Sequence, residues 1–376
     1  MRRICYVTGT RADFGLMKHV LIGIDESPDL DLSVIVTGMH LLEKYGNTIS
    51  EIEHSGLNIV ARITVALSGQ SGLEMSLAMA EQMKQMTLVF QKNRPDIILL
   101  LGDRGEMLAA AIVALHLNIP IVHIHGGERS GTIDESIRHA ISKIAHFHFV
   151  ASDASRERLI RMGEAEDSIF ITGAPGLDEV CHIALLNREA LFNQYQLDLK
   201  KALLLILFHP VVQDEVDAGQ QMAVLLKAAA RSNMQCLILS PNADAGSLAI
   251  EAVIDRYADN PLMHSVNHLV RTEYLSFLAY ADVLVGNSSS GIIEAASLNT
   301  AVVNVGDRQN CRERNANTID VSVDEEAILD AVLEAKEMNA CSGDNVYGDG
   351  DAASRMLELL LMTPLDKKCL SKSNAY

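Results

Sequence analysis

The stretch IPIVHIHGGERSGTIDESIRH, residues 119–139, decides how the fold is predicted. It opens with a short apolar run that predicts a buried strand of a parallel sheet. A glycine pair and several imidazole and carboxylate side chains follow, before the start of an amphipathic helix. In an open α/β sheet such a turn lies at the carboxyl end of a strand, where ligands bind. Ionisable groups there indicate proton-transfer chemistry, with a solvated loop and helix cap as the simpler alternative.

The same alternation of apolar runs and helix-length segments continues along the chain. Runs rich in β-branched residues occur at 4–7, 32–36, 97–101, 147–151 and 169–172, and residues 57–65 are a further candidate strand. The pattern restarts with runs at 202–208, 237–239, 283–285 and 301–305. Apolar strands joined by helices predict parallel sheets covered on both faces. The prediction is therefore an α/β protein with two Rossmann-like domains that face each other across a cleft.

The predicted organisation has four parts, and two domains are the natural expectation for 376 residues. Residues 1–175 form the first domain, which holds the acid and base residues. Residues 176–201 connect it to the second domain, residues 202–349. Residues 350–376 hold a last helix, expected to cross to the first domain, and a polar, frayed tail.

Composition excludes several classes of protein. The net charge of −18, with no compensating basic stripe, argues against a nucleic-acid-binding protein. No apolar run approaches the ~20 residues that span a bilayer, and the N-terminus lacks signal-peptide features, so a cytoplasmic protein without membrane contact is predicted. The six cysteines lack metal-binding spacing and are expected to be reduced thiols. No cofactor or metal is predicted, with His123 and His125 on one strand face as a minor metal-binding alternative.

Three turns at predicted strand ends of the first domain carry candidate site residues. Residues 8–15, TGTRADFG, lack the glycine pattern of dinucleotide binding but place Arg11 at a helix N-terminus, which suits an anion. An ordinary capped turn is the alternative. Asp103 and Arg104 follow the apolar run 97–101. Burying a carboxylate there is costly unless it is used or paired, for instance with Arg104 itself. The candidates in the third turn are His125, Glu128 and Asp134.

A serine-rich turn marks the second domain. Residues 286–291, GNSSSG, place Ser288 and Ser289 at a helix N-terminus, where backbone N–H groups and the helix dipole bind phosphate. Glu294 follows one turn later, where its carboxylate can accept hydrogen bonds from a ribose diol. A simple N-cap is the alternative, although three serines exceed what a cap needs. The turn therefore predicts a site for a nucleotide diphosphate.

Three further residues end strands of the second domain. His209 follows the apolar run 202–208, and its imidazole either faces the cleft or is structural. Asn242 follows the next strand, and Arg308 follows the run 301–305. Because carboxyl ends of parallel strands meet at one edge, these side chains are expected near the serine-rich turn.

In this order along the chain, the motifs resemble those of the hydrolysing UDP-N-acetylglucosamine 2-epimerases of sialic acid biosynthesis. The resemblance covers residues 1–320 and rests on TGTRADFG at 8–15, LGDR at 101–104, HGGE at 125–128, DESIRH at 134–139, FHP at 208–210, GNSSSGIIE at 286–294 and GDRQ at 306–309. It implies the GT-B architecture, with a sugar nucleotide between two Rossmann-like domains and its UDP on the second, and a homodimer or homotetramer that assembles through the first domain.

The resemblance also implies a reaction without a redox cofactor. A base removes the proton at C2 of the sugar, UDP leaves from C1, and water adds to the 2-acetamidoglycal to give N-acetylmannosamine. Asp103, Asp134 and His209 match catalytic positions of the family. The positions that match nucleotide-binding residues are Arg11, Arg104, Asn242, Ser288, Ser289, Glu294 and Arg308.

His125 departs from the commonest family pattern. Many relatives have HIEGGE, with a catalytic glutamate at this position, whereas some members of the sialic acid pathway have histidine. Either His125 or Glu128 is therefore expected to transfer the proton, since an imidazole is a competent acid or base at neutral pH.

The departure also bears on the substrate. UDP-N-acetylglucosamine is predicted, and UDP-N,N′-diacetylbacillosamine of legionaminic acid biosynthesis is the close alternative. A non-hydrolysing epimerase is a second alternative. A non-catalytic sugar-nucleotide sensor is the alternative from another class of protein.

Overall fold

The computed structural model describes residues 1–43, 46–66, 71–129, 133–211, 217–241, 244–338, 345–365 and 369–375. Within these ranges the chain forms two parallel β-sheets, one of seven strands and one of six. Each sheet has a hydrophobic cluster on both of its faces. The predicted α/β class with two Rossmann-like domains is confirmed.

The first domain contains the seven-stranded sheet, in the order β3-β2-β1-β4-β5-β6-β7. Its strands are β1 (Arg2–Thr8), β2 (Leu30–Thr37), β3 (Ile59–Ile63), β4 (Ile97–Leu101), β5 (Ile121–Ile124), β6 (Phe147–Val150) and β7 (Ile169–Ile171). Its helices are α1 (Arg11–Glu26), α2 (Ile49–His54), α3 (Gly72–Lys92), α4 (Gly105–His116), α5 (Ile133–Ile144) and α6 (Asp153–Arg161). The strand order reverses between β1 and β4, and such a switch point opens a crevice at the carboxyl ends of the strands.

Two helices, α7 (Gly176–His182) and α8 (Arg188–Gln194), lead to the second domain. Its sheet has the order β10-β9-β8-β11-β12-β13 and the same kind of switch point, between β8 and β11. Its strands are β8 (Leu203–Leu207), β9 (Gln235–Leu239), β10 (Met263–Val266), β11 (Val283–Gly286), β12 (Ala301–Val305) and β13 (Thr318–Val321). The helices that follow are α9 (Ala218–Arg231), α10 (Ser247–Asp255), α11 (Arg271–Tyr280), α12 (Ser289–Ile293), α13 (Glu325–Glu337) and α14 (Ala352–Met362).

The apolar runs became central strands because helices cover both faces of each sheet. All five residues of β4 are buried, and so are all five of β8. The sequence pattern missed the two edge strands of the second sheet, β10 and β13, whose exposed positions interrupt the apolar run. An edge strand needs less apolar surface, so its sequence signal is weaker.

Helix α14 packs on the first domain, where Met356 and Leu360 join the cluster around β1 and α1. The expectation of a frayed tail is wrong for residues 369–375. The ammonium group of Lys372 donates hydrogen bonds to the carbonyl oxygens of Ser142, at 2.9 Å, and Ala145, at 2.5 Å. It also pairs with the buried carboxylate of Glu164. A buried charge partner therefore anchors a tail whose polar composition suggested disorder.

The composition also led to expectations about membrane-spanning helices and about the cysteines. No helix in the described ranges combines the length and the apolar character that a membrane crossing requires. The cysteines within those ranges, Cys5, Cys181, Cys236, Cys311 and Cys369, carry free thiols. Cys341 lies outside the described residues.

Glu164 is the centre of a buried charge cluster in the first domain. Its side chain is 1% exposed and contacts Nζ of Lys143 at 2.6 Å, Nε2 of His148 at 3.1 Å and Lys372. Burial alone would raise the pKa of Glu164, but these three partners outweigh it and lower the pKa to about 2. The carboxylate is therefore ionised at neutral pH and stabilises the folded state.

We predict that Glu164→Gln lowers the free energy of unfolding at pH 7 by roughly 3 kcal/mol, the usual cost of breaking a buried ion pair. The folded-state pKa of Glu164 lies below its ordinary value of 4.5. Its contribution is therefore present above about pH 4.5 and is lost as the pH falls towards 2. Urea titrations of the parent protein and of Glu164→Gln should give free energies of unfolding whose difference becomes smaller below pH 4.5.

Glu166→Gln is the matched control, because the Glu166 carboxylate is 69% exposed and pairs only with Arg156 among the described residues. An exposed pair of this kind contributes about 0–1 kcal/mol. Equal losses of stability in Glu164→Gln and Glu166→Gln would contradict a stabilising role for the ionised Glu164 carboxylate. So would a loss in Glu164→Gln that does not depend on pH.

Candidate active site

A cavity of about 300 Å³ lies between the two domains, at the carboxyl ends of both sheets. The sequence-predicted residues that line it are Arg11, Asp103, Arg104, His125, Glu128, His209, Ser288, Ser289, Glu294 and Arg308. Asp134 is not among the lining residues, but its carboxylate reaches Arg308. Asn242 lies outside the described residues. The structure thus brings together residues from both halves of the chain.

A capping box fixes the turn between β1 and α1. The Asp13 carboxylate is buried and accepts hydrogen bonds from the backbone N–H groups of Gly9, at 3.0 Å, and Thr10, at 2.8 Å. The Thr10 hydroxyl in turn accepts from the Asp13 backbone N–H. Arg11, the first residue of the helix, is therefore held with its guanidinium group beside the cavity. That group contacts Nδ1 of His268 in the second domain.

A buried histidine, His123, holds the turn after β4 through a hydrogen bond to its backbone. Burial lowers the pKa of His123 to about 3, so its imidazole is neutral. Nε2 of His123 donates to the carbonyl oxygen of Gly102 at 2.7 Å, and Nδ1 accepts from the hydroxyl of Ser142 at 3.0 Å. Asp103, the next residue, pairs with the buried guanidinium group of Arg138. His123 therefore has a structural role, and Asp103 is the group presented to the cavity.

Arg104 links the two domains. Its Nη2 donates to Oδ1 of Asp244, in the loop after β9, at 3.1 Å, and its Nε lies 3.4 Å from Glu106. Burial would lower the pKa of Arg104, but the carboxylates of Asp244 and Glu106 outweigh it and raise the pKa. The guanidinium group is thus a permanent positive charge on the wall of the cavity.

The turn after β5 contains a histidine–glutamate pair. His125 has a left-handed backbone conformation, with φ of 62°. Its Nδ1 contacts Oε1 of Glu128, and both side chains are buried. The other oxygen of Glu128 contacts Arg312 of the second domain. Burial would raise the pKa of Glu128, but Arg312 and His125 lower it to about 2, so the carboxylate is ionised.

His209 lies opposite, at the end of β8. Its backbone N–H donates to Oδ1 of Asn287 at 2.7 Å, and its carbonyl oxygen accepts from Nδ2 of Asn287 at 2.9 Å. Burial, reinforced by the charge of Arg308, lowers the pKa of His209 to about 3. A neutral imidazole can therefore donate one hydrogen bond from a ring nitrogen to a ligand.

The serine-rich turn leads into α12. The Ser288 hydroxyl accepts a hydrogen bond from the Ser290 backbone N–H at 3.4 Å, as an N-cap does. Glu294 is 1% exposed and accepts from the Ser290 hydroxyl at 2.6 Å and from Arg271. The serines and the Glu294 carboxylate thus share one wall of the cavity.

Arg308 closes the site from the second domain. Its Nη1 donates to the carbonyl oxygen of Asn287 at 3.0 Å, and its Nη2 lies 3.7 Å from Oδ2 of Asp134 in the first domain. Burial lowers the pKa of Arg308 below its ordinary value, and the nearby carboxylate of Asp134 offsets part of this effect. Asp134, predicted to be catalytic, is therefore held beside a cation at the border of the cavity.

Sequence reasoning missed several lining residues, namely Arg138, Asn267, Arg271, Tyr274 and Arg312. Arg138 lies in the stretch 119–139 and in the motif DESIRH, but the sequence analysis gave it no role of its own. The others follow no glycine or serine turn, so no local signal distinguished them. In the described ranges no group of three or more His, Cys, Asp or Glu residues could hold a metal ion.

Comparison with known proteins gives the family. A family model described as UDP-N-acetylglucosamine 2-epimerase matches residues 23–361. The chain is 50% identical over 376 residues to the UDP-N,N′-diacetylbacillosamine 2-epimerase (hydrolyzing) of Legionella pneumophila, covering all of both chains. It is 34% identical over 340 residues to the GDP/UDP-N,N′-diacetylbacillosamine 2-epimerase (hydrolyzing) of Campylobacter jejuni, covering 89% of this chain and 88% of that protein.

A solved structure of the UDP-GlcNAc 2-epimerase from Neisseria meningitidis, bound to UDP-GlcNAc, superposes with a TM-score of 0.81. The superposition covers 96% of this chain and 99% of that one at 18% identity, and it confirms the GT-B-like fold. The relatives are named as enzymes, so the alternative of a non-catalytic sensor is set aside. The chain belongs to the hydrolysing UDP-N-acetylglucosamine 2-epimerase family, as its motifs predicted.

Proposed function

We propose that this enzyme hydrolyses UDP-N,N′-diacetylbacillosamine with inversion at C2, releasing UDP and the free sugar. The observation that carries the proposal is the 50% identity, over the full length of both chains, to an enzyme named for that substrate. The sequence-based prediction, UDP-N-acetylglucosamine giving N-acetylmannosamine, is the second candidate because the matching family model is named for that sugar nucleotide. The two substrates share the reacting atoms, so one mechanism serves both.

The proposed reaction has two steps. In the first, a base takes the proton from C2 while the C1–O bond breaks, and the electron pair leaves with UDP. In the second, water adds across the C1–C2 double bond and places a hydroxyl group at C1. A proton is added at C2, on the face opposite to the one from which the first proton was removed. The site must therefore provide both an acid and a base, and it must stabilise the departing diphosphate.

We assign the proton transfer at C2 to His125 rather than Glu128. The Glu128 carboxylate, with its pKa of about 2, is a weak base, and its two oxygens are engaged by His125 and Arg312. It is instead suited to hold Nδ1–H of His125 and leave Nε2 to react. Asp103 and Asp134 are the candidates for the second proton transfer.

The diphosphate and the nucleoside are assigned to cationic and polar groups that both domains contribute to the cavity. Arg11, Arg104 and Arg308 supply positive charge, and the neutral imidazole of His209 supplies a hydrogen-bond donor. These groups stabilise the charge that develops on the leaving oxygen. Ser288, Ser289 and Glu294, which line the same cavity, are assigned to the nucleotide as well. Asn242, which lies outside the described residues, stays a sequence-based prediction for nucleotide binding.

The quaternary structure and the cellular location belong to the same proposal. Helix α3 exposes the side chains of Leu73, Leu77 and Leu88, which supports assembly of a homodimer or homotetramer through the first domain. A cytoplasmic location agrees with the nucleotide substrate, which is made and used inside cells.

The substrate is tested by a panel of UDP-N,N′-diacetylbacillosamine and UDP-N-acetylglucosamine in deuterium oxide. We expect UDP release at least about tenfold faster, as kcat/KM, from the first, a difference of ~1.4 kcal/mol in transition-state binding. The free sugar should carry one deuterium at C2. Faster release from UDP-N-acetylglucosamine would favour the second candidate, and an epimerised nucleotide without UDP would indicate the non-hydrolysing reaction. No turnover of either compound would refute the proposal.

The roles of His125 and Glu128 are tested by single substitutions. We expect His125→Gln to lower kcat by about 10³-fold, within the range of general acid–base catalysis, and Glu128→Gln to lower it by a smaller factor. UDP binding, measured by calorimetry, should persist in both. His116→Gln is the control, because His116 is exposed at the end of α4. Retained activity in His125→Gln, with loss only in Glu128→Gln, would reverse the assignment.

A further inference from the structure

We propose that Arg312 is a positioning residue that orients His125 from across the cleft, acting through Glu128. The inference rests on the proposed function, because it gives Arg312 a role in the same proton transfer. None of the sequence motifs includes this residue, and it lies 184 positions from Glu128 along the chain.

The contacts form a continuous chain across the cleft. Nη1 of Arg312, in the second domain, donates to Oε2 of Glu128 in the first domain. Oε1 of Glu128 accepts from Nδ1 of His125. The side chains are 8%, 3% and 9% exposed, respectively, so little solvent competes for these contacts. One carboxylate therefore joins an arginine of one domain to the imidazole of the other.

The backbone of this turn is fixed within the first domain. Arg138 donates to the carbonyl oxygen of Glu128 at 3.2 Å, and Arg158 donates to that of Gly127. Gly127 has φ of 75°, and a Cβ atom there would lie 2.3 Å from the carbonyl oxygen of Ser155. Contacts within the first domain thus hold the backbone of the turn against α6. The second domain adds Arg312 as a partner for the Glu128 carboxylate.

The electrostatics indicate what happens without Arg312. A buried carboxylate requires an opposite charge, and Arg312 contributes most to keeping Glu128 ionised. The cations that would remain nearby, Arg138 and Arg158, donate to backbone carbonyl oxygens of the turn. Glu128 would then be drawn away from His125, or it would take up a proton and become a neutral, weaker acceptor for Nδ1–H. In either case it orients the imidazole less firmly, although the turn itself keeps its shape.

Arg312 also lines the cavity, so a second role has to be distinguished. If Arg312 bound the substrate directly, its loss would weaken ground-state binding and raise KM. If it positions His125, the loss falls on kcat, because the affected interaction is realised in the transition state. The two roles therefore predict changes in different kinetic constants, KM for direct binding and kcat for positioning.

The experiment uses the full chain and the sugar nucleotide that releases UDP. We expect Arg312→Ala to lower kcat by about 10²-fold, with KM and the Kd of UDP within about threefold of the parent protein. Arg312→Lys should recover part of the loss, and added guanidinium ion should partly rescue Arg312→Ala. Arg231→Ala is the control, because Arg231 also belongs to the second domain and pairs with carboxylates, Glu325 and Glu326, but it does not line the cavity. It should stay within about twofold of the parent kcat.

A double-mutant cycle with Glu128→Gln gives the sharpest test. If Arg312 acts only through Glu128, Arg312→Ala should have almost no further effect on kcat in the Glu128→Gln background. Additive losses, or a rise in KM with unchanged kcat, would overturn the proposal.

A spectroscopic measurement separates this inference from the proposed function. The Nδ1 proton of His125, hydrogen-bonded to Glu128, should give a downfield proton resonance in the ligand-free protein. The resonance should shift upfield or disappear in Arg312→Ala and Glu128→Gln, because the hydrogen bond to a carboxylate is weakened or lost, and it should keep its position in Arg231→Ala. An unchanged resonance in Arg312→Ala would overturn the inference even if the enzyme were inactive on every sugar nucleotide tested.

Discussion

The buried charges of the cleft are stable only when an opposite charge replaces the water that each has lost. Removing a carboxylate or a guanidinium group from water costs several kcal/mol per ion unless it is paired. In this molecule the partners often belong to the other domain. The pairs that cross the cleft include Glu128 with Arg312, Arg104 with Asp244 and Asp134 with Arg308. The arrangement of the two domains is therefore also the arrangement that assembles the site.

The turns of the site and the charged groups that they carry are held by different kinds of contact. The turns that carry the side chains are fixed locally, by the carboxylate of Asp13 after β1 and by the imidazole of His123 beneath the turn after β4. Several charged groups on these turns are oriented by partners across the cleft, namely Glu128, Arg104 and Asp134. Asp103 is instead paired with Arg138 of its own domain. Groups that are fixed before the substrate binds lower the cost of reaching the geometry that proton transfer needs.

The distribution of charge fits the same view. The whole chain has a net charge of −18, which would repel an anionic ligand at long range. The cavity nevertheless gathers arginines from distant parts of the sequence, namely Arg11, Arg104, Arg138, Arg271, Arg308 and Arg312. A diphosphate can thus be bound locally by a protein that is acidic overall.

The sequence by itself determined the fold class, the central strands and the turns that carry most of the candidate residues. Apolar runs and glycine- or serine-rich turns are local signals, and the rule that parallel strands end at one edge turns them into a predicted site. Only the tertiary structure decided that Glu128 is held between His125 and Arg312, and that His123 is structural. It also decided that Lys372 anchors the tail. These outcomes depend on charge pairing between distant segments, and no local pattern in a sequence records which buried charges will meet.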